Sequence, residues 1–105
     1  MTNTEIDRKL ALAIGYSVQD IGVYLPEIVG VLRHATWQKF SHQDPTVILP
    51  IMERYEVNVF RLETGEFRAI ASISKDCAFS GYATHTNQRT AAALAVIKAK
   101  EMGLI

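Results

Sequence analysis

The sequence predicts a single α+β domain in which an antiparallel sheet of three or more strands is layered with helices. Three observations carry this. Segments near both ends repeat apolar residues at helical spacing. The stretch from 57 to 84 breaks into short β-branched and aromatic runs separated by turn residues. The composition is that of a folded globule, 49% hydrophobic and 21% charged over 105 residues. That length suits one domain with one modest core.

The opening helix is predicted from about Glu5 to Ile14. Thr2 and Glu5 have the spacing of a capping box, and Gly15 supplies a stop. Ile6, Leu10, Ala13 and Ile14 line one face, with Asp7, Arg8 and Lys9 directed largely away from it. Residues 16–40 are punctuated by Gly22, Pro26 and Gly30, which disfavours one long helix. Short extended pieces, "VGVLR" and "ATWQKF", are expected there.

A second helix is expected in "FSHQDPTVILPIMERY". Asp44 is a good N-cap and Pro45 suits the first helical position, where its missing N–H costs nothing. Pro50 conflicts with a helix, because it removes the bond to Thr46 at a cost of roughly 3 kcal/mol. Ile48, Ile51, Met52 and Tyr55 nevertheless keep helical spacing across it. The reading is a short helix running through the proline and held by burial of that face; a turn with the helix starting at Pro50 is the alternative.

Strands follow at "VNVFRL" (57–62), "FRAIASIS" (67–74) and "CAFSGYAT" (77–84), joined by "ETGE" and by a tight turn at Lys75-Asp76. Val57 and Val59 lie on one face of the first strand, Phe60 and Leu62 on the other, so layers on both sides of the sheet are expected. The last helix is predicted from Asn87 to Met102, capped by Thr86 and stopped by Gly103. Ala91, Ala92, Ala95, Val96, Ala99 and Met102 form its main face. Leu94 and Ile97 lie opposite; a helix apolar almost all round is either deeply buried or covered by another subunit, and a homo-oligomer formed through the Leu94/Ile97 face is expected.

Lys plus Arg and Asp plus Glu are both 11, a balance that argues against binding long nucleic acid, which calls for a basic surplus. The lone cysteine, Cys77, can build neither a disulfide framework nor a thiolate zinc site. "MTNTEIDRKL" lacks the pattern of a signal peptide, and no apolar run approaches the ~20 residues of a membrane span. A cytoplasmic protein with no membrane partner is expected, in the host cell cytoplasm if it is viral.

The pair "FSHQDPTVILPIMERYEVNV" and "RTAAALAVIKAKE", with the opening "IDRKLALAIGY", resembles the small phage proteins of the ABA-sandwich and NinX-like families. In those families an aromatic-Ser/Cys-x-x-Asp/Asn-Pro stretch leads into an apolar helix, often with an internal proline, that ends in Lys/Arg-Tyr before a strand. The resemblance implies a three-layer α/β/α sandwich and a phage or prophage origin. It implies no catalytic activity. By analogy of type, small phage proteins include oligomeric counter-defence sponges that sequester cyclic-nucleotide or ADP-ribose signals without cleaving them.

Two stretches hold the candidate ligand-binding residues. "GYATHTNQRT" (81–90) brings Tyr82 and His85 to a helix start at Thr86, Asn87 and Arg89, where free amides and a guanidinium suit a phosphate. The plain alternative is a capped helix with an exposed arginine. "LRHATWQKFSH" (32–42) interleaves Arg33, Trp37, Lys39 and Phe40, a mixture that can stack a base and hold its phosphate. Its plain alternative places Trp37 and Phe40 in the core.

His34, His42 and His85 lack the H-x-H or H-x-x-x-H spacing of a metal site and are read as unrelated surface histidines. No nucleophile elbow, phosphate loop or dinucleotide fingerprint is present, so neither an enzyme nor a cofactor is expected. The functional expectation is a non-enzymatic sponge for a phosphate-bearing signal. A protein-binding inhibitor of a host factor is the alternative, and a small enzyme ranks last.

Overall fold

The computed structural model describes residues 1–24, 27–71 and 81–105. Among the described residues three α-helices, six strands and a short 3-10 turn (Val18–Asp20) before β1 follow in the order α1 (Asn3–Ala13), β1 (Ile21–Tyr24), β2 (Ile28–Arg33), β3 (Thr36–Lys39), α2 (Pro45–Arg54), β4 (Val57–Arg61), β5 (Phe67–Ala71), β6 (Gly81–His85) and α3 (Gln88–Glu101). The strands form two antiparallel three-stranded sheets, β1-β2-β3 and β4-β5-β6. The fold class is α+β, as the sequence predicts.

Each helix starts where side-chain chemistry supplies a cap. Thr2 accepts the Glu5 N–H at the head of α1, and Gly15, at φ +114°, ends it in a conformation that suits glycine. Asp44 caps α2 through the Thr46 N–H, and α2 runs from Pro45 to Arg54 without stopping at Pro50. Ile48 and Ile51 on its inner face are buried, and Pro50 lies exposed on the outside. Burial therefore holds the helix through its proline, and the alternative start at Pro50 is excluded. α3 is capped by Asn87, whose Oδ1 accepts the Thr90 N–H, one position later than the Thr86 cap the sequence suggests. Both side chains are suitable caps; Thr86 is left exposed one residue upstream.

The irregular stretch 16–40 resolves into the first sheet. β2 and β3 coincide with the expected extended pieces, joined by the two-residue turn His34–Ala35, in which both residues have positive φ, 53° and 61°. Strand alternation aims Val29 and Val31 at the core and places Trp37, paired with Leu32, on the other side. In the second sheet β4 pairs with β5 and β5 with β6, as in the expected meander. The predicted Lys75-Asp76 turn and Cys77 lie outside the described residues.

α3 is the axis of the core. It packs on all three strands of the second sheet and on α1, which in turn packs on β2. Its alanines 91, 92, 93, 95 and 99 are fully buried, and small side chains permit this close helix–sheet approach. Ile97 is buried too, and Leu94 packs against the core. Ile97 lines a crevice between α1 and α3 with Leu12 and Ala13, so α1 covers this part of the face, and Leu94 stays partly exposed. The face of the second sheet turned away from α3 carries Phe60 and Tyr82 at 44% and 60% exposure.

Asp7 corrects a second expectation. It is buried, not solvated, because it faces the chain at His42. No helix among the described residues is long and apolar enough to cross a membrane.

Candidate functional site

The structure divides the expected site residues among three places. Arg33 and Lys39 line a groove between the first sheet and α2. Phe40 is buried beneath that groove, edge-on to Tyr16 at 6.1 Å between centroids, so it supports the wall without offering a stacking face. Trp37 lies across the sheet on its outer side, 45% exposed and edge-to-face with Tyr24 at 6.2 Å. Its ring edge sits over Gly22, close enough that an added Cβ would stand 3.4 Å from it. Strand alternation separates Trp37 from Arg33 and Phe40, whereas Lys39 shares the Trp37 face and meets the groove only at the end of β3.

The start of α3 does not gather the other group. Tyr82 is on the sheet face away from α3, with the Arg68 guanidinium 5.9 Å from its ring centre. His85 accepts the Asn87 N–H at 3.0 Å through Nδ1. Asn87 spends its side chain on Thr90. Arg89 is half-buried and donates to the Gln43 carbonyl at 3.0 Å, which anchors α3 to the segment before α2. Arg89 also borders a separate, mainly apolar cavity of about 170 Å³ with Pro45, Leu49, Met52, Val59 and Gln88.

His42 corrects the surface reading most sharply. It is completely buried. Its backbone N–H donates to Asp7 Oδ1 at 2.7 Å, and its Nδ1 lies 2.6 Å from the same oxygen. An acceptor already taking one N–H places the ring proton on Nδ1. Nε2 then faces Thr90 Oγ1 at 3.0 Å and the Gln43 amide nitrogen at 3.1 Å, while Gln43 also donates to Thr90 Oγ1 at 2.8 Å. An Asp–His–Thr row has the order of a nucleophile relay, but Thr90 is buried and its hydroxyl is shared with Gln43 and Asn87. The row ties α1, the segment before α2 and α3 together. No buried side-chain nitrogen or oxygen among the described residues lacks a partner, so the network is complete. Among those residues no group of three His, Cys, Asp or Glu is placed to hold a metal.

The groove beside α2 is a concavity on which charged side chains converge. It consists of two adjoining cavities of about 380 and 240 Å³ that share Ile14, Tyr16, Arg33, Pro50 and Ile51. Together they fall in the range of roughly 300–1,000 Å³ typical of small-molecule sites. The larger part adds Gly15, Arg54 and Tyr55; the smaller adds Lys39, Asp44 and Thr46.

Local structure explains each placement. Gly15 turns the chain at the end of α1, with the Tyr16 N–H donating back to Ala11, and so sets Tyr16 at the rim. Arg33 follows Val31 on the core-facing side of β2 but stands beyond the core, at the hairpin end. Arg54 closes the last turn of α2, where a cation suits the helix dipole, and its guanidinium lies 5.1 Å from the Tyr55 ring centre.

Asp44 is the groove's one carboxylate. Hydrogen bonds from the Thr46 hydroxyl (2.8 Å) and the Thr46 N–H (3.0 Å) hold it below the usual carboxylate range, with Lys39 and Arg89 adding positive charge nearby. It is therefore ionised at neutral pH. Pro50 and Thr46 both line the same wall, and Pro50 has no N–H to offer the Thr46 carbonyl in the helix.

Sequence reading named Arg33 and Lys39 but missed Tyr16, Arg54, Tyr55 and Asp44 as partners in one site. The available signal was Pro50, whose helix-breaking position is exposed and faces the groove. Comparison with family models, with curated proteins and with solved structures found no match for this chain.

Proposed function

We propose that this chain is a non-enzymatic binding protein that takes a small phosphate-bearing ligand, of the cyclic-nucleotide or ADP-ribose class, in the groove beside α2. In a phage-type setting such binding would sequester an immune signal. The observation that carries the reading is the convergence of Arg33, Lys39 and Arg54 on one groove of small-molecule size in a chain of zero net charge. A protein with no overall basic surplus binds long polyanions poorly, whereas a local cluster suits a compact anion. Tyr16 and Tyr55 add aromatic side chains to the lining, and arginine presents a fork that holds two phosphate oxygens.

The test is thermal denaturation of the pure protein with ADP-ribose, cyclic dinucleotides and inorganic phosphate. Binding raises the melting temperature by mass action, and chromatography after heating recovers the ligand unchanged. Replacing Arg33 and Arg54 together by alanine removes the shift. Stabilisation that survives the double replacement contradicts the groove as the site.

One further observation favours a second reading, a protein-binding inhibitor. Phe60, Ile70 and Tyr82 with Arg68 occupy the open face of the second sheet, and aromatic residues with arginine are enriched at protein interfaces. That reading expects a host protein captured by the wild-type chain and lost from a Phe60→Ser, Tyr82→Ser variant, with no small-ligand stabilisation.

A further inference from the structure

Two guanidiniums carried by different elements meet in the larger part of the groove. Arg33 ends β2 and Arg54 closes the last turn of α2, and both line the cavity of about 380 Å³. No carboxylate lines that part, and Glu53 and Glu56, the acidic neighbours of Arg54 in sequence, line neither part. Among the described residues the ion pair joins His42 to Asp7, so neither guanidinium is neutralised by a described carboxylate. The contact of Arg54 with the Tyr55 ring leaves its N–H donors for a ligand. In the smaller part Lys39 and Asp44 carry opposite charges. Three cations against one carboxylate therefore leave the whole groove with two positive charges, the same surplus as the larger part alone.

Resting on the reading of the groove as a phosphate site, we infer that it selects a doubly charged phosphate, a terminal monoester or a diphosphate, over the singly charged diesters of cyclic nucleotides. Like charges held in one cavity repel, and a bound anion relieves that repulsion according to the charge it brings. A cyclic nucleotide brings a single negative charge and leaves one guanidinium uncompensated. A terminal monoester carries about −1.5 to −2 at neutral pH. The diphosphate of ADP-ribose carries one charge on each of two adjoining phosphates. A cyclic dinucleotide has two charges as well, but each sits on its own diester with a nucleoside between them. Oxygen count points the same way. Each arginine fork engages two phosphate oxygens, and two forks ask for more than the two free oxygens of a diester.

The experiment is calorimetric titration of AMP, ADP-ribose, cyclic 3′,5′-AMP and cyclic di-AMP into the wild-type protein and into the Arg33→Ala and Arg54→Gln variants. All four ligands carry adenosine, so the series varies mainly in phosphate charge. AMP or ADP-ribose is expected to bind about tenfold or more tighter than both cyclic nucleotides. The tighter of the two identifies the source of the double charge, a terminal monoester or a diphosphate. Arg54 is exposed, so Arg54→Gln removes one charge and keeps a polar side chain without disturbing the core. In that variant the preference should shrink to about twofold or less, with circular dichroism unchanged. Cyclic nucleotides that bind as tightly as AMP and ADP-ribose, or a preference that persists in Arg54→Gln, overturn the charge selection; loss of binding in Arg33→Ala then leaves the phosphate groove standing. Binding of none of the four, or binding indifferent to both replacements, overturns the groove and this inference with it.

Discussion

Asp7 Oδ1 accepts two hydrogen bonds from one residue, His42, at 2.7 Å from its backbone N–H and 2.6 Å from its ring Nδ1, across 35 positions of sequence. A helix at one end of the chain is thereby fixed to the segment that leads into the groove wall. Replacing Asp7 by alanine strands both N–H groups in the core, where each unsatisfied donor costs about 1–3 kcal/mol. Urea unfolding should show Asp7→Ala destabilised by roughly 3 kcal/mol. A double-mutant cycle with His42→Ala should return a coupling above about 1 kcal/mol.

Thr90 closes the same network from α3. Thr90→Val keeps the shape but leaves the Gln43 amide without its 2.8 Å acceptor and deprives His42 Nε2 of its hydroxyl partner. The expected loss is about 1–2 kcal/mol of stability, measured by urea unfolding. The melting temperature should fall with no change in secondary structure.

Pro50→Ala should make the protein more stable and a poorer binder. An alanine N–H at that position restores the bond to Thr46 and removes the ring's clash, a gain of about 1–3 kcal/mol. The same change removes the ring that lines the groove wall. Chemical denaturation and ligand titration on one variant should move in opposite directions.

Gly30 is crowded on the outer face of the first sheet: a Cβ there would stand 2.7 Å from the Tyr24 ring and 3.5 Å from the Gln38 carbonyl. In Gly30→Ala the half-exposed Tyr24 ring must move, breaking its edge-to-face contact with Trp37. The cost should be about 1 kcal/mol. Trp37 is the chain's one tryptophan, so its emission spectrum should shift while groove binding stays intact.

The fold was largely legible because its signals are local. Thr2, Gly15, Asp44 and Gly103 mark helix ends by side-chain chemistry or backbone freedom, and the apolar spacing around Pro50 carried α2 through its breaker. Sheet partition was less legible: nothing in "VGVLR" or "VNVFRL" says which strands share a ladder, and two sheets formed. The site was half legible. Arg33 and Lys39 sit in a visibly basic-aromatic stretch, but strand alternation turned Trp37 to the face opposite Arg33. Arg54, Tyr55 and Tyr16 join the groove only through tertiary packing. His42 and Asp7 look like ordinary surface residues because their burial depends on a partner far along the chain.

Arg89 separates the two candidate anion sites. Its guanidinium holds the Gln43 carbonyl, so Arg89→Ala should loosen the segment before α2 and lower stability by about 1 kcal/mol. Ligand affinity should change less than in Arg33→Ala, as titration of both variants will show.

The most direct test of the central claim maps the ligand onto the chain by amide chemical-shift changes during titration with ADP-ribose. The account predicts shifts concentrated at Tyr16, Arg33, Lys39, Thr46 and Arg54, the residues that line the groove beside α2. Shifts confined to Thr86–Arg89 at the start of α3, or no shifts at millimolar ligand, would contradict it.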